Sequence, residues 1–267
     1  TSYIQTNGSF SAFTQIANYP ANDRGLCLGD FDRDGLTDLV AAYPSGNTLV
    51  PFFYKGKGDG SFAPGVALPT TPGANSYAMD ATAGDFDADG NLDFVFNGNE
   101  RFAMFYWGQG DGTFTVQVKD WGDGGYYYGR GMAAGDFNDD GREDIARAAN
   151  SSGGVKVFLS NGDRTFIQTN LVATGLGNND PYGLAAGDFD EDGHLDLIVA
   201  GGSSGDVTFL KGLGNGSFTN ITGTNGLWAN LDLNTYSGLD AFDYNGDGHL
   251  DLVGAAANGQ AYFWGGL

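Results

Sequence analysis

The sequence predicts an all-β fold, a five-bladed β-propeller with four antiparallel strands per blade. Three observations predict it. A nine-residue motif, D-x-[DN]-x-D-G-x-x-D, occurs five times, at 30–38, 85–93, 136–144, 188–196 and 243–251. Successive copies begin 55, 51, 52 and 55 residues apart, so one repeating unit accounts for essentially the whole chain of 267 residues. Between the copies the apolar segments have strand length and no window sustains a 3.6-residue period, which leaves no room for helix beyond an isolated turn.

Each unit repeats the same elements in the same order. A strand of small residues leads into the motif (Gly25-Leu-Cys-Leu-Gly29, Gly131-Met-Ala-Ala-Gly135, Gly183-Leu-Ala-Ala-Gly187), as a crowded centre requires. After the motif come an apolar strand (39–42, 197–200, 252–253) and a third strand (49–54, 102–107, 155–159, 207–210). A Gly/Asn/Asp turn follows (58–60, 110–112, 161–163, 215–216), the chemistry of a hairpin whose φ angles are positive. A fourth strand opens on Phe62, Phe114, Phe166 or Phe218. Four strands repeated at this period describe propeller blades, near 19–70, 71–121, 122–173, 174–227 and 228–267. The last unit stops after its third strand, 260–264, and the missing turn and Phe-led strand occur at the other terminus, in Asn7-Gly-Ser-Phe10 and the residues following. Residues 1–18 are therefore expected to complete the last blade and close the ring, giving a single domain over 1–267 without a long exposed edge.

Composition narrows the functions. Thirty-three acidic residues against 12 basic ones give a net charge of −21, which repels phosphate backbones and excludes a nucleic-acid binder. A single cysteine, Cys27, permits no intrachain disulfide and no Cys-rich zinc site. No apolar run approaches the roughly 18 to 20 residues of a membrane-spanning helix. Aromatic residues at 14% supply the apolar area for a core despite 46 glycines.

The motif has a direct chemical reading. Calcium takes six to eight oxygen ligands, and carboxylates on alternate residues of a tight loop converge on one ion where a glycine permits the sharp turn. Position 1 supplies Asp30, Asp85, Asp136, Asp188 and Asp243; position 3 supplies Asp32, Asp87, Asn138, Asp190 and Asn245; position 5 supplies Asp34, Asp89, Asp140, Asp192 and Asp247. Position 9 supplies Asp38, Asp93, Asp144, Asp196 and Asp251. The carbonyl at position 7, on Leu36, Asn91, Arg142, His194 and His249, is a further expected ligand, so side chains there are free to vary. Asp and Gly are also ordinary turn residues. Five copies in one register, each gathering three or four mutually repelling carboxylates, favour about five Ca2+, one per blade. Magnesium's strict octahedral geometry and the His or Cys preference of zinc and copper fit less well.

The signature [AG]-G-D-F-[DN]-x-D-G-x-x-D-[LIF], followed by a short apolar strand and a G-[DN]-G-[ST]-F turn, resembles the FG-GAP/VCBS repeat of calcium-binding propellers. That family includes integrin α-chain head propellers, bacterial cell-surface and secreted proteins, lectins and the propellers of some polysaccharide lyases. The resemblance implies a calcium-stabilised, extracellular propeller that presents ligands on its loops, and it implies no single activity. The chain has five units where seven are commoner, and Phe242 stands in place of the usual Gly before the fifth motif. The family's ligand-binding positions are therefore not carried over.

Function is expected where the units differ, in the connections entering each innermost strand. Tyr19, Arg24, Tyr77, Trp121, Tyr126, Tyr128, Arg130, Tyr182, Trp228 and Tyr236 lie in or beside them, with Asn, Asp or Ser nearby. Aromatic faces stack on sugar rings while amides, carboxylates and Arg bond the hydroxyls, so these residues are candidates for multivalent binding of a glycan, polysaccharide or cell-surface glycoprotein. The same residues also serve as plain blade connectors. An enzyme needs a constellation outside the repeat. Eighteen aspartates are committed to the motifs, Glu143 and Glu191 lie inside them, and only Glu100 among glutamates is left. Both histidines occupy position 7, which removes a Ser-His-Asp set. A non-catalytic, lectin-like binding protein is the preferred reading, against a protein-binding adhesion module or a propeller-type lyase using a Tyr/Arg pair near 119–130. Four Asn-x-Ser/Thr sequons (Asn7, Asn150, Asn215, Asn220) are compatible with secretion. Arg147, where other units have Ala41, Phe96, Val199 and Gly254, is placed in the core or on a face with no preference between them.

Overall fold

A computed structural model describes residues 5–6, 9–10, 25–45, 48–70, 78–98, 102–121, 131–149, 154–174, 176, 181–201, 207–222, 238–255 and 261–265. All regular structure among them is β-strand, arranged as blades of a β-propeller. The first blade runs Gly25–Gly29, Asp38–Ser45, Thr48–Tyr54, Val66–Ala67, and the second Ala78–Gly84, Asp93–Gly98, Phe102–Gly108, Phe114–Asp120. The third runs Met132–Gly135, Asp144–Ala149, Gly154–Ser160, Phe166–Gln168, with Val172–Ala173 also pairing to its third strand. The fourth runs Pro181–Gly187, Asp196–Gly201, Val207–Gly212, Phe218–Asn220. Each is an antiparallel meander in sequence order, as short turns between neighbouring strands dictate.

Four blades are complete, and here the structure differs from the five-blade expectation. The fifth sheet has three strands, Gly238–Phe242, Asp251–Ala255 and Ala261–Trp264. The N-terminal strands Gln5–Thr6 and Ser9–Phe10 pair with each other, through Gln5 with Phe10 and Thr6 with Ser9. Such a hairpin between sequence neighbours has the smallest loop-closure entropy to overcome. Residues 11–18, expected to extend the last blade, lie outside the described residues.

The chain packs as two compact units, residues 1–85 with 89–126 and residues 86–88 with 127–267. The first has an aromatic core of Phe31, Phe53, Phe94, Phe96, Tyr106 and Phe114 around Val40 and Met104. Phe94 stacks on Tyr106 with ring centroids 4.6 Å apart and meets Phe114 edge-on at 4.8 Å, arrangements the ring quadrupole favours. The core of the second is mostly aliphatic, with Val155, Val157, Leu184, Leu197, Val199 and Leu210 beside Phe137, and a smaller cluster of Ile198, Val207 and Leu252 beside Phe209. Arg147 belongs to this interior: it is 1% exposed on a strand, Asp144–Ala149, whose six residues are all buried.

Candidate metal centres

The five motifs fold to one frame, held by the aspartates themselves. The position-1 carboxylate accepts the N–H of position 5 on Oδ1 and the N–H of the position-6 glycine on Oδ2, at 2.6 to 3.1 Å across all five loops including the extra Gly246 contact. The position-5 carboxylate accepts the N–H of position 7 at 2.8 to 3.0 Å. These contacts bend the chain so tightly that position 6 takes φ between 83° and 92° at Gly35, Gly90, Gly141, Gly193 and Gly248, the left-handed region that a Cβ disfavours.

Position 9 is the first residue of the strand that leaves the loop, and it does work that spacing did not reveal. Asp38, Asp93, Asp144 and Asp196 are fully buried. Oδ1 of each accepts the N–H at the end of the same blade's third strand, from Gly56, Gly108, Ser160 and Gly212, at 2.7 to 2.8 Å. Oδ2 of Asp38, Asp144 and Asp196 accepts the N–H of the position-2 phenylalanine, Phe31, Phe137 or Phe189, each at 3.0 Å. The approach is so close in three blades that a Cβ at Gly56, Gly108 or Gly212 would lie 2.0 to 2.2 Å from the carbonyl oxygen of Thr37, Leu92 or Leu195, whereas the third blade accommodates Ser160 at the same place. Burial raises the carboxyls of Asp144 and Asp196 to about 6; the two backbone N–H groups oppose the rise, and neighbouring aspartates add to it.

Oxygens of positions 1, 3 and 9 converge. In 30–38, 85–93 and 188–196 one carboxylate oxygen from each of the three residues lies within 4.8 Å of the others. Position 3 supplies the diagnostic atom. Oδ1 of Asp32, Asp87, Asn138 and Asp190 is buried and without a hydrogen-bond partner. A buried oxygen left this way costs about 1 to 3 kcal/mol, more for a charged group, and a hard cation removes that cost. The same orphan oxygen in four loops, three of which bring the carboxylates of positions 1, 3 and 9 together, is a donor set that fits calcium.

Neighbouring loops also touch through residues the motif leaves variable. Position 4 is left-handed at Arg33, Ala88, Asp139 and Glu191, with φ between 57° and 59°, and the side chains of Arg33, Asp139 and Glu191 meet position 7 of the next loop. Arg33 Nη1 donates to Asn91 Oδ1 at 3.2 Å, His194 Nδ1 lies 2.7 Å from Asp139 Oδ2, and His249 Nδ1 pairs with Glu191. The pairing with Glu191 raises the imidazole of His249 above its ordinary range. The two histidines are partly exposed, as expected of position 7, yet each is held by an acidic residue more than 50 positions earlier.

Of the ligand-binding candidates, Tyr19, Arg24, Tyr77, Tyr126, Tyr128, Arg130, Trp228 and Tyr236 lie outside the described residues. Tyr182 is on the innermost strand of the fourth blade, Pro181–Gly187. Trp121 is 5% exposed, with its ring 5.9 Å from Phe105, and packs within the second blade. A groove of about 520 Å³ that sequence reasoning missed is lined by Gln168, Asn170, Leu171, Ser217, Phe218 and Asn220, from the outer strands of the third and fourth blades.

The comparisons with known proteins agree with this geometry. The model of the FG-GAP-like repeat matches four overlapping stretches, 30–96, 85–147, 136–199 and 188–254. Cartilage acidic protein 1 of Xenopus tropicalis is 28% identical over 88% of the chain, which spans 40% of that relative's length. A solved lectin of Agrocybe aegerita, described as recognising non-reducing terminal N-acetylglucosamine, aligns with 95% of the chain and 67% of its own, at a TM-score of 0.63 and 19% identity. The Tc holotoxin pore of Photorhabdus luminescens aligns with 99% of the chain over 12% of its own, at 0.51 and 18%. At such identities the solved structures speak to the fold alone. Matched over most of its length by the repeat model, the chain belongs to the FG-GAP-like repeat family.

Proposed function

We propose that the chain is an extracellular, calcium-stabilised propeller that binds carbohydrate. The observation that carries the metal part is the buried, unpartnered Oδ1 of position 3, repeated in four loops, in three of which the carboxylates of positions 1, 3 and 9 converge. Positions 1, 3, 5 and 9 and the position-7 carbonyl would hold one Ca2+ per motif, about five in all. The ion would neutralise carboxylates that otherwise repel one another and would leave a net charge of about −11, an ordinary acidic surface. A five-bladed ring, closed by residues 1–18 as a single domain, belongs to the same proposal. It is supported by the fifth motif and by the turn and Phe-led segment at the N-terminus.

The carbohydrate part is supported by the likeness of fold to a lectin and by the aromatic and amide residues that the sequence places in or beside the connections. Several related connections would bind a branched glycan or polysaccharide many times at once, so weak individual sites add up through effective concentration. The repeat family and the relationship to cartilage acidic protein 1 support placement outside the cell or at its surface. A glycan array probed in millimolar calcium and again in chelator tests the reading. Binding that disappears in chelator is the expected result, and absence of affinity for any sugar in calcium rejects the carbohydrate part.

A further inference from the structure

The outer side-chain atom at motif position 3 meets a compensating group in every loop, by three different routes. In 30–38 and 188–196 a lysine from the end of the third strand bridges positions 3 and 5. Lys55 pairs with Asp32 and lies 2.8 Å from Asp34 Oδ2, and Lys211 pairs with Asp190 and lies 2.5 Å from Asp192 Oδ2. In 85–93 the same strand position is occupied by Trp107, and the cation comes from elsewhere: Arg164 Nε donates to Asp87 Oδ2 at 2.7 Å from 77 residues away. Arg164 stands in a hairpin turn where the other complete blades have Gly60, Gly112 and Gly216, and it adopts the same left-handed backbone, φ 67°. A side chain is thus tolerated in a conformation that favours glycine, and its guanidinium is what reaches the loop.

The two remaining loops have neither cation at position 3, and they are the two with asparagine there. Asn138 and Asn245 each donate Nδ2 to the outer oxygen of the position-5 carboxylate, Asp140 or Asp247, at 2.9 Å. The amide fills the place of the bridging ammonium. Loop 136–144 carries Arg142 on Asp140 as well, a partly exposed pair that does not involve position 3. In every loop position 3, taken together with its outer cation where it has one, therefore carries no net charge, and in the four loops noted above its inner oxygen is left open.

We propose that Lys55, Arg164 and Lys211 are charge-balancing positioning residues. Each holds the outer oxygen of an aspartate at position 3 so that Oδ1 alone faces the cation, and each cancels the charge that distinguishes aspartate from asparagine. This rests on the reading of the loops as cation sites. The balance keeps a four-aspartate loop closed without metal and limits its calcium affinity to that of an asparagine loop.

The test is a double-mutant cycle on the full chain, with Lys55→Met, Asp32→Asn and both together, read by melting temperature in chelator and by calorimetric calcium titration. Lys55→Met is expected to lower the metal-free melting temperature by several degrees and to tighten the affected calcium site about tenfold, the effect of removing one unit charge from a partly exposed site. In the Asp32→Asn background the same lysine change is expected to lose most of its effect on the metal-free melting temperature. Arg164→Gly, which restores the turn glycine and relieves its backbone, is expected to tighten the 85–93 site likewise, with Asp87→Asn reversing the gain. An equal loss from Lys55→Met in both backgrounds, or a weaker calcium site after it, overturns the proposal. If the wild-type chain takes up no calcium, the metal reading fails, and the chelator arm of the cycle still decides the charge balance.

Discussion

Loops 136–144 and 188–196 belong to the same unit and fold to the same frame, yet they treat position 3 differently. Their position-9 aspartates, Asp144 and Asp196, are buried alike, accept the same two backbone N–H groups and are raised alike to about 6. One has Asn138, and the end of its third strand carries Leu159; the other has Asp190, and the matching residue is Lys211. The difference separates two jobs in one motif. Positions 1, 6 and 9 build the loop and accept no substitute, whereas position 3 is electrostatic and accepts either an amide or an ion pair.

The largest expected effect treats the two loops alike. Removing calcium with excess chelator should lower stability by about 3 to 4 kcal/mol for each site that was loaded at a hundred to a thousand times its Kd, seen as a fall in melting temperature. Next come Asp144→Ala and Asp196→Ala. Each strips two buried N–H groups of their acceptor, so each should cost about 3 kcal/mol in denaturant unfolding, and similar losses would confirm that position 9 serves both loops in the same way. The comparison is broken more selectively at position 3. Asn138→Asp places an unbalanced carboxylate in the first loop and should destabilise the metal-free chain by about 1 to 2 kcal/mol. Adding Leu159→Lys, which copies Lys211, should recover part of that loss in the same unfolding measurement.

The smallest effect is one of pH. In the folded, metal-free chain Asp144 and Asp196 keep their protons to about pH 6, while an unfolded aspartate releases its proton near 3.8. Between those values the folded state binds more protons, so their contribution to stability is full below about pH 4, falls as pH rises to 6 and is level above. His249, raised by Glu191, has the same sign above its ordinary value of 6.5. Asp192, held low chiefly by Lys211, acts oppositely, its contribution being lost as pH falls below 3.8. Melting curves in chelator should therefore decline from pH 4 to 6.5. A rise over that interval would show that the two buried carboxyls are not raised.

Much of this was legible because it is local. The nine-residue spacing marks the five loops, the G-[DN]-G-[ST]-F turns mark the hairpins, and Asp59, Asp111 and Asn215 do accept the N–H two residues on, at 2.9 to 3.0 Å. What escaped is non-local. Nothing near Asp87 in sequence points to Arg164, and Lys55 and Lys211 read as ordinary strand-end lysines until the fold brings them to carboxylates 23 and 21 residues away. The handshake from position 4 to the next position 7 is invisible for the same reason, since one motif contains only half of each pair. Arg147 could not be placed because charge argues for the surface, and only the buried strand around it decides for the core. Chain register alone points to a completed fifth blade and does not specify that Gln5–Thr6 pairs with Ser9–Phe10.

The repeated aspartate loops are proposed as calcium sites with a built-in charge balance. Calorimetric titration of calcium into chelator-stripped protein, with melting temperature followed on the same samples, tests this most directly. Saturable uptake approaching one ion per motif, with a melting temperature that climbs with it, is the expected result. No heat of binding and an unchanged melting temperature at millimolar calcium would contradict it.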